Sequence, residues 1–340
     1  MKVLIVKLSA LGDVLSSTPF FRLIKERHPD WEVHHLVMRH STEVTASNPW
    51  VDRQIIVDLI PSGNYFKDLK YLSSLWYQLI RERYHMAVLF HRNVLFQLLC
   101  KSSGINNLVG FESFNNFFLS QSIPYLMNVN RTLQEHRLLK VGGIEIDIPN
   151  KLEFYPNKKN CDQSLLESLP KQFIVINPGG GNPHAPADNR FWPIENYASL
   201  INRSSIPVVV LGKGEKDKML VDKLNRIVPD RFLNFVGKTN LHESAEILKR
   251  AELYIGNDSS LLYLGAAMGI CTLGLFGPTQ TVAANPLGHK QFFLRGDAPC
   301  APCYNPFDNI KGLMYTCKDN ICMQNISVES VREKLNKLLR

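Results

Sequence analysis

Apolar residues run without polar alternation through Val3, Leu4, Ile5 and Val6, the pattern of a strand covered on both faces in a parallel sheet. Further strand signals fall at residues 33–38, 55–57, 86–90 and 108–111, then at 173–176, 208–211, 233–236, 253–255 and 272–276. Helical spacing separates them, at 19–27, 42–47, 67–83, 94–100 and 128–143 in the first half and at 215–227, 243–250 and 261–268 in the second. Strands alternating with helices predict βαβ units with right-handed crossovers, hence an α/β chain of two doubly wound halves. Val328, Val331, Leu335 and Leu338 mark a final amphipathic helix.

Between 144 and 172 the chain turns polar and irregular, with Pro149, Pro156 and Pro170, the composition of a connection. The expected division is therefore 1–150 as the first domain, 151–172 as a linker, 173–326 as the second domain and 327–340 as the terminal helix. A chain of 340 residues suits two cores better than one. Two such halves are expected to face each other across a cleft, and ligands bind these sheets beyond the carboxyl ends of the strands.

That rule draws attention to the loops. Lys7-Leu-Ser-Ala-Leu-Gly-Asp13 follows the first strand, and Thr18-Pro19 reads as an N-cap followed by Pro at the first helical position. Asp13 is either a carboxylate at the mouth of the cleft or a helix cap. In the second half the strands lead into Asn177-Pro-Gly-Gly-Gly-Asn182, Gly212-Lys-Gly-Glu-Lys216, Gly237-Lys-Thr-Asn240, Gly256-Asn-Asp-Ser-Ser260 and Gly277-Pro-Thr-Gln280. Singly these are ordinary turns; together they make a polar rim, and a helix start at Asp258-Ser-Ser suits a diphosphate. A P-loop, a Gly-x-Gly-x-x-Gly after the first strand and a Gly-x-Ser-x-Gly elbow are all missing from the sequence, which argues against an ATPase, a dinucleotide enzyme and a serine hydrolase.

Charge changes the picture modestly. Lys and Arg number 39 against 31 Asp and Glu, leaving +8, which favours anionic partners. The cations are scattered and no aromatic–basic motif accompanies them, so nucleic acid is disfavoured. No apolar stretch approaches the ~18 residues of a membrane span, and the first residues lack the features of a signal peptide, so the expected place is the cytoplasm.

In order and spacing, Lys7-Leu-Ser-Ala-Leu-Gly-Asp13, Asn177-Pro-Gly-Gly-Gly, Arg190-Phe-Trp-Pro193, Asn257-Asp-Ser-Ser260 and Phe276-Gly-Pro-Thr279 resemble glycosyltransferase family 9, the heptosyltransferases of lipopolysaccharide core synthesis. The resemblance implies a GT-B fold, with an N-terminal acceptor domain and a C-terminal domain for an ADP-sugar donor, and an inverting reaction without a catalytic cofactor. It also implies Asp13 as general base, Lys7 and Ser9 as acceptor or phosphate contacts, and Arg190 at the donor diphosphate. Glu215 and Thr239 resemble the nucleoside contacts, and Asp258, Ser259 and Ser260, with Gly179 and Gly180, the diphosphate and sugar contacts. The expected acceptor is a glycan or glycolipid at the inner face of the cytoplasmic membrane, met by peripheral contact; a protein acceptor and a non-catalytic nucleotide-sugar binder are the alternatives. Tyr263 stands where many members carry His, and Ala185 and Pro186 where one branch has hydroxyls, which leaves the sugar open.

Four of the seven cysteines gather as Cys300-x2-Cys303-x13-Cys317-x4-Cys322 in a finger at 299–322, matching the ligand count and rough spacing of a tetrathiolate site for iron or zinc. The other reading is four reduced thiols in a long loop. Heptosyltransferases that modify autotransporters, related to the family, carry a comparable iron-binding finger.

Overall fold

The structure, a computed structural model, describes residues 1–58, 65–113, 116–180, 188–305 and 312–339. Two units divide the chain, Met1–Pro149 and Asn150–Arg340. Within the first, β1 (Lys2–Lys7), β2 (Glu32–Met38), β3 (Arg53–Val57), β4 (Met86–Leu89), β5 (Asn107–Phe111) and β6 (Gln121–Ile123) form a parallel sheet in the order β3-β2-β1-β4-β5-β6. In the second, β7 (Ile174–Asn177), β8 (Val208–Val210), β9 (Leu233–Asn234), β10 (Leu253–Asn257), β11 (Cys271–Phe276) and β12 (Gln291–Arg295) lie in the order β12-β11-β10-β7-β8-β9. Counted within each unit, both sheets have the doubly wound order 3-2-1-4-5-6.

Central strands are the ones the apolar runs mark. Val3 to Val6 are fully buried, flanked in register by Val33 to Leu36 of β2 and Met86 to Leu89 of β4. Helices such as Thr18–Arg27, which buries Phe20, Phe21, Leu23 and Ile24, cover the faces. The second core gathers Ile174, Ile176, Leu253, Ile255, Leu273 and Leu275 from the sheet with Tyr197 and Leu200 of helix Ile194–Asn202 and Val331 and Leu335 of helix Val328–Leu338.

Local differences from the sequence reading have local causes. Residues 42–47 are not an α-helix: a 3-10 turn spans Arg39–Val44, where the Thr42 hydroxyl donates to the Arg39 carbonyl and competes with helical bonding. Thr18 does not cap; Ser17 holds that position, Pro19 sits one place further in, and the Thr18 hydroxyl donates to the Leu15 carbonyl. β6 and β12 are edge strands outside the expected set: β6 is Gln-Ser-Ile, without an apolar run, and β12 has a short one, Phe292 to Leu294, of which Phe293 is exposed. Segment 150–172 carries a 3-10 turn at Lys158–Asn160 and a helix at Gln163–Glu167, and it is bonded along the second unit. Asn157 N–H donates to His242 Nδ1 at 3.1 Å, and Asp162 N–H to Glu243 Oε1 at 3.0 Å.

Candidate active site

All strands of each sheet being parallel, their carboxyl ends share one edge. In the first unit that edge carries a set of charged side chains. Asp13 lies in the first turn of a short helix, Leu11–Leu15, that follows β1 directly. Its carboxylate is paired with the Arg131 guanidinium, from helix Arg131–Val141. One turn along that helix, Glu135 reaches Lys7, the last residue of β1: Lys7 Nζ donates to Glu135 Oε1 at 2.5 Å, with the two side chains only 5% and 2% exposed. The Ser17 hydroxyl donates to the other Glu135 oxygen at 2.7 Å. Arg131 and Glu135, four apart on one helix face, thus fasten both ends of the Lys7–Asp13 segment.

Burial pushes the Glu135 carboxyl up, opposed by the Lys7 ammonium and the Ser17 hydrogen bond. His91, just after β4, is pulled down to about 4 by burial and by Lys7, against a smaller upward effect of Asp13. Its Nδ1 has no hydrogen-bond partner among the described residues. Ser9 lies half-buried in the same segment, its carbonyl accepting from the Ser41 hydroxyl at 2.9 Å.

The second unit builds its edge from two buried asparagines. Asn257, at the end of β10, donates through Nδ2 to the carbonyls of Pro178 at 2.8 Å and Gly179 at 3.1 Å. Its Oδ1 accepts from Trp192 N–H and from the Tyr197 hydroxyl, at 3.0 and 3.1 Å. Asn177, at the end of β7, donates to the Leu211 carbonyl at 2.9 Å and accepts from the Ser259 hydroxyl at 3.2 Å. A polar side chain ending an apolar strand must be satisfied, and here each bond ties one loop to the next.

Asp217 completes the lattice. This buried carboxylate, 4% exposed, accepts from Gly180 N–H at 3.0 Å and Lys213 N–H at 2.8 Å, joining the loops after β7 and β8. Burial pushes its pKa up, opposed by those two N–H groups and by Asn177. The glycines are fitted to it: a Cβ on Gly179 would lie 1.9 Å from Asp217 Oδ1. Gly180 adopts φ +100°, and a Cβ there would lie 2.3 Å from that of Ser259.

Ser259 holds the N-cap position of helix Ser260–Ala267, yet its hydroxyl turns to Asn177 rather than capping, and Ser260 begins the helix. Asp258 accepts from the Thr279 hydroxyl at 2.9 Å and meets Arg190 Nη1 at 3.3 Å. Arg190 lies with its guanidinium carbon 4.5 Å from the Tyr304 ring centre. The Tyr263 hydroxyl donates to the Ala284 carbonyl at 2.6 Å. Glu215 begins the helix Glu215–Ile227, exposed and paired with Lys218, while the buried Thr239 hydroxyl bonds that of Ser244 at 2.9 Å. The structure therefore gathers Gly179, Gly180, Arg190, Asp258 and Ser259 into one bonded lattice and leaves Glu215 and Thr239 on neighbouring loops. Ala185 and Pro186 lie outside the described residues.

The cysteine segment leans on the same lattice. Cys303 N–H donates to the Pro278 carbonyl at 2.9 Å, Asn189 to the Met314 carbonyl at 2.7 Å and Asn320 to the Phe191 carbonyl at 3.0 Å. No disulfide joins any of the four. Burial, then Cys300, Cys322 and Cys317, push the Cys303 thiol up to about 11, so the sulfurs act on one another. Among the described residues no three His, Cys, Asp or Glu side chains are gathered in a metal-holding arrangement.

Sequence reasoning passed over Arg131, Glu135, His91 and Asp217. Arg131 and Glu135 look like surface charges of a polar helix, and Asp217 like the customary acid of a first turn. Only the asparagines closing two apolar runs carried a readable signal.

Two parallel doubly wound sheets, one ending in a paired carboxylate and the other in glycine loops with an arginine, have the GT-B fold. The chain belongs to glycosyltransferase family 9 (heptosyltransferase), whose sequence profile matches residues 73–313. Lipooligosaccharide heptosyltransferase 2 of Haemophilus influenzae is 22% identical over 313 residues, covering 87% of this chain and 88% of the relative. The structure of ADP-heptose lps heptosyltransferase II of E. coli superposes with TM-score 0.76 at 20% identity, over 100% of this chain and 98% of that one. The iron-containing dodecameric glycosyltransferase TibC of enterotoxigenic E. coli has the same fold at TM-score 0.59 and 13% identity, covering 99% of this chain and 75% of TibC.

Proposed function

We propose that this protein transfers heptose from ADP-heptose to a saccharide acceptor of the lipopolysaccharide core, with inversion. Family membership carries the reading, and lipooligosaccharide and lipopolysaccharide heptosyltransferases are what the relatives are named. Asp13 takes the proton of the acceptor hydroxyl, and Arg131, its partner, orients the carboxylate. Lys7 and Ser9 serve the acceptor side, with Lys7 fixed by Glu135. Arg190 and the N–H groups at the start of helix Ser260–Ala267 take up the charge growing on the departing ADP, with Gly179 and Gly180 letting the backbone come close; the bidentate fork of Arg suits that task better than a point charge. Asp258 holds Arg190 in place and Ser259 locks the loop. Glu215 and Thr239 serve the nucleoside. The test is ADP release by purified protein with ADP-heptose and a heptose-deficient core acceptor. Asp13→Asn should lower kcat by 100-fold or more, about the general-base contribution. Turnover of the variant at the parental rate would remove Asp13 as base, and absence of turnover in the parent with every glycan acceptor would leave a nucleotide-sugar binder.

The same reading includes a structural iron or zinc ion on Cys300, Cys303, Cys317 and Cys322. Four soft sulfurs at this count and spacing suit either ion. Such an ion would brace the segment that bonds to Phe191 and packs Tyr304 on Arg190. Elemental analysis of protein purified without chelator should give about one ion per chain, lost in Cys303→Ser together with a raised donor KM. A metal-free parent with the same KM would refute it. The acceptor reading places the protein at the inner face of the cytoplasmic membrane.

A further inference from the structure

Among the described residues no helix is long and apolar enough to cross a membrane, yet helix Tyr65–Glu82 carries an apolar face that the fold leaves outside. Its inner side buries Leu75 and Leu79. On the outer side Phe66, Leu69, Ser73, Trp76, Tyr77 and Ile80 follow the i, i+3, i+7, i+10, i+11, i+14 spacing of one stripe. Phe66 is 82% exposed, Tyr77 59%, Leu69 51% and Trp76 39%. Cations edge the stripe: Lys70 is one turn from Phe66, and Arg81 is one turn from Tyr77, with its guanidinium carbon 5.9 Å from that ring centre. The helix's acids are turned inward, where Asp68 is half-buried and Glu82 binds Lys2 at 2.9 Å and Arg53. The exposed positions from Phe66 to Arg81 thus include no acidic residue. Helix Val94–Ser102, packed on this one, adds exposed Leu95, Leu98 and Lys101.

We infer that this face, with Phe66, Leu69, Trp76 and Tyr77 as its apolar contact and Lys70 and Arg81 as its charged edge, docks the protein on an anionic lipid bilayer. This rests on the proposed lipid-anchored acceptor. Aromatic and leucine side chains beside Lys and Arg match the boundary between acyl chains and headgroups. Anionic headgroups supply the negative charge the face lacks. A second copy seated there would bring the same cationic edge with no acid to meet it, so a bilayer is the better complement.

The full chain, without donor, should sediment with phosphatidylglycerol-containing vesicles and far less with pure phosphatidylcholine, and high salt should release it. Lys70→Gln with Arg81→Gln should weaken the partition about 25-fold, roughly fivefold per cation lost. Leu69→Ser with Trp76→Ser should weaken it too. Both variants should keep the parental thermal midpoint and full transfer to a soluble, delipidated acceptor, which separates this inference from the transferase reading. Absence of binding to anionic vesicles would overturn it, as would binding that neither variant weakens. A concentration-dependent dimer abolished by the Leu69→Ser, Trp76→Ser variant would assign the stripe to a second copy instead.

Discussion

Replacing Glu135 by Gln isolates the buried ion pair at the end of β1. Lys7 and Glu135 are 5% and 2% exposed at 2.5 Å separation, so neither charge has water to fall back on. Removing one partner strands the other, at a cost of about 3–5 kcal/mol. Against a typical total of about 5–15 kcal/mol, that is a large share of folding stability. Gln keeps an acceptor for the Ser17 hydroxyl, so the loss reports charge rather than hydrogen bonding. The double variant Lys7→Met, Glu135→Leu removes both charges with little change of volume. Its stability should return to within about 1–2 kcal/mol of the parent, or exceed it. Transfer should stay low in the double variant, because the segment leading to Asp13 has lost its fastening to helix Arg131–Val141. Urea denaturation followed by tryptophan fluorescence gives the stabilities, and ADP release gives the activity. Single variants costing under about 1 kcal/mol, or a double variant as unstable as the worse single one, would refute the reasoning.

Two other perturbations follow from buried groups. In Asp217→Asn one carboxylate oxygen becomes an NH2 facing the N–H of Gly180 or Lys213, so one charge-assisted bond, about 1.5–3 kcal/mol, is lost. Denaturation should show that loss and kinetics a raised donor KM, and an unchanged donor KM would mean that the two loops do not serve the donor. Stability should also fall on acidification: His91, pulled down to about 4, and His35, pulled down to about 3, stay neutral in the fold, while the unfolded chain takes up protons below its ordinary imidazole value of about 6.5. More protons on the unfolded state means stability that rises with pH across that window, and each imidazole removes about 2 kcal/mol by pH 5. A His35→Gln, His91→Gln chain with the parental slope between pH 7 and 5 would show that these groups are not the cause.

The architecture was legible because both central strands, Val3 to Val6 and Ile174 to Ile176, are buried on each face and so must be apolar throughout. Of the edge strands β3 and β9 were legible and β6 and β12 were not: β6 is Gln-Ser-Ile, without an apolar run, and β12 has only Phe292 to Leu294 between polar ends, with Phe293 exposed. At the site, glycines and strand-ending asparagines announced the loops, since few other residues could stand there. The charges that bind those loops together did not: Arg131 and Glu135 meet the first strand from more than a hundred residues away, and nothing in Arg131-Thr-Leu-Gln-Glu135 says which face of the helix looks inward. Packing decides that, and a periodicity with so few apolar positions does not encode it.

The position of those two side chains in the chain order has a temporal corollary. Strand β1 leaves the ribosome before the rest of its sheet, but Lys7 and Asp13 acquire their partners only once residue 135 has emerged, after every strand of that sheet. Contacts between such distant positions form late, because closing so long a loop comes before any reward. A nascent fragment halted before Arg131 would therefore hold the six strands and lack both counter-charges, so the neutralised edge of this sheet is assembled late in the making of this half.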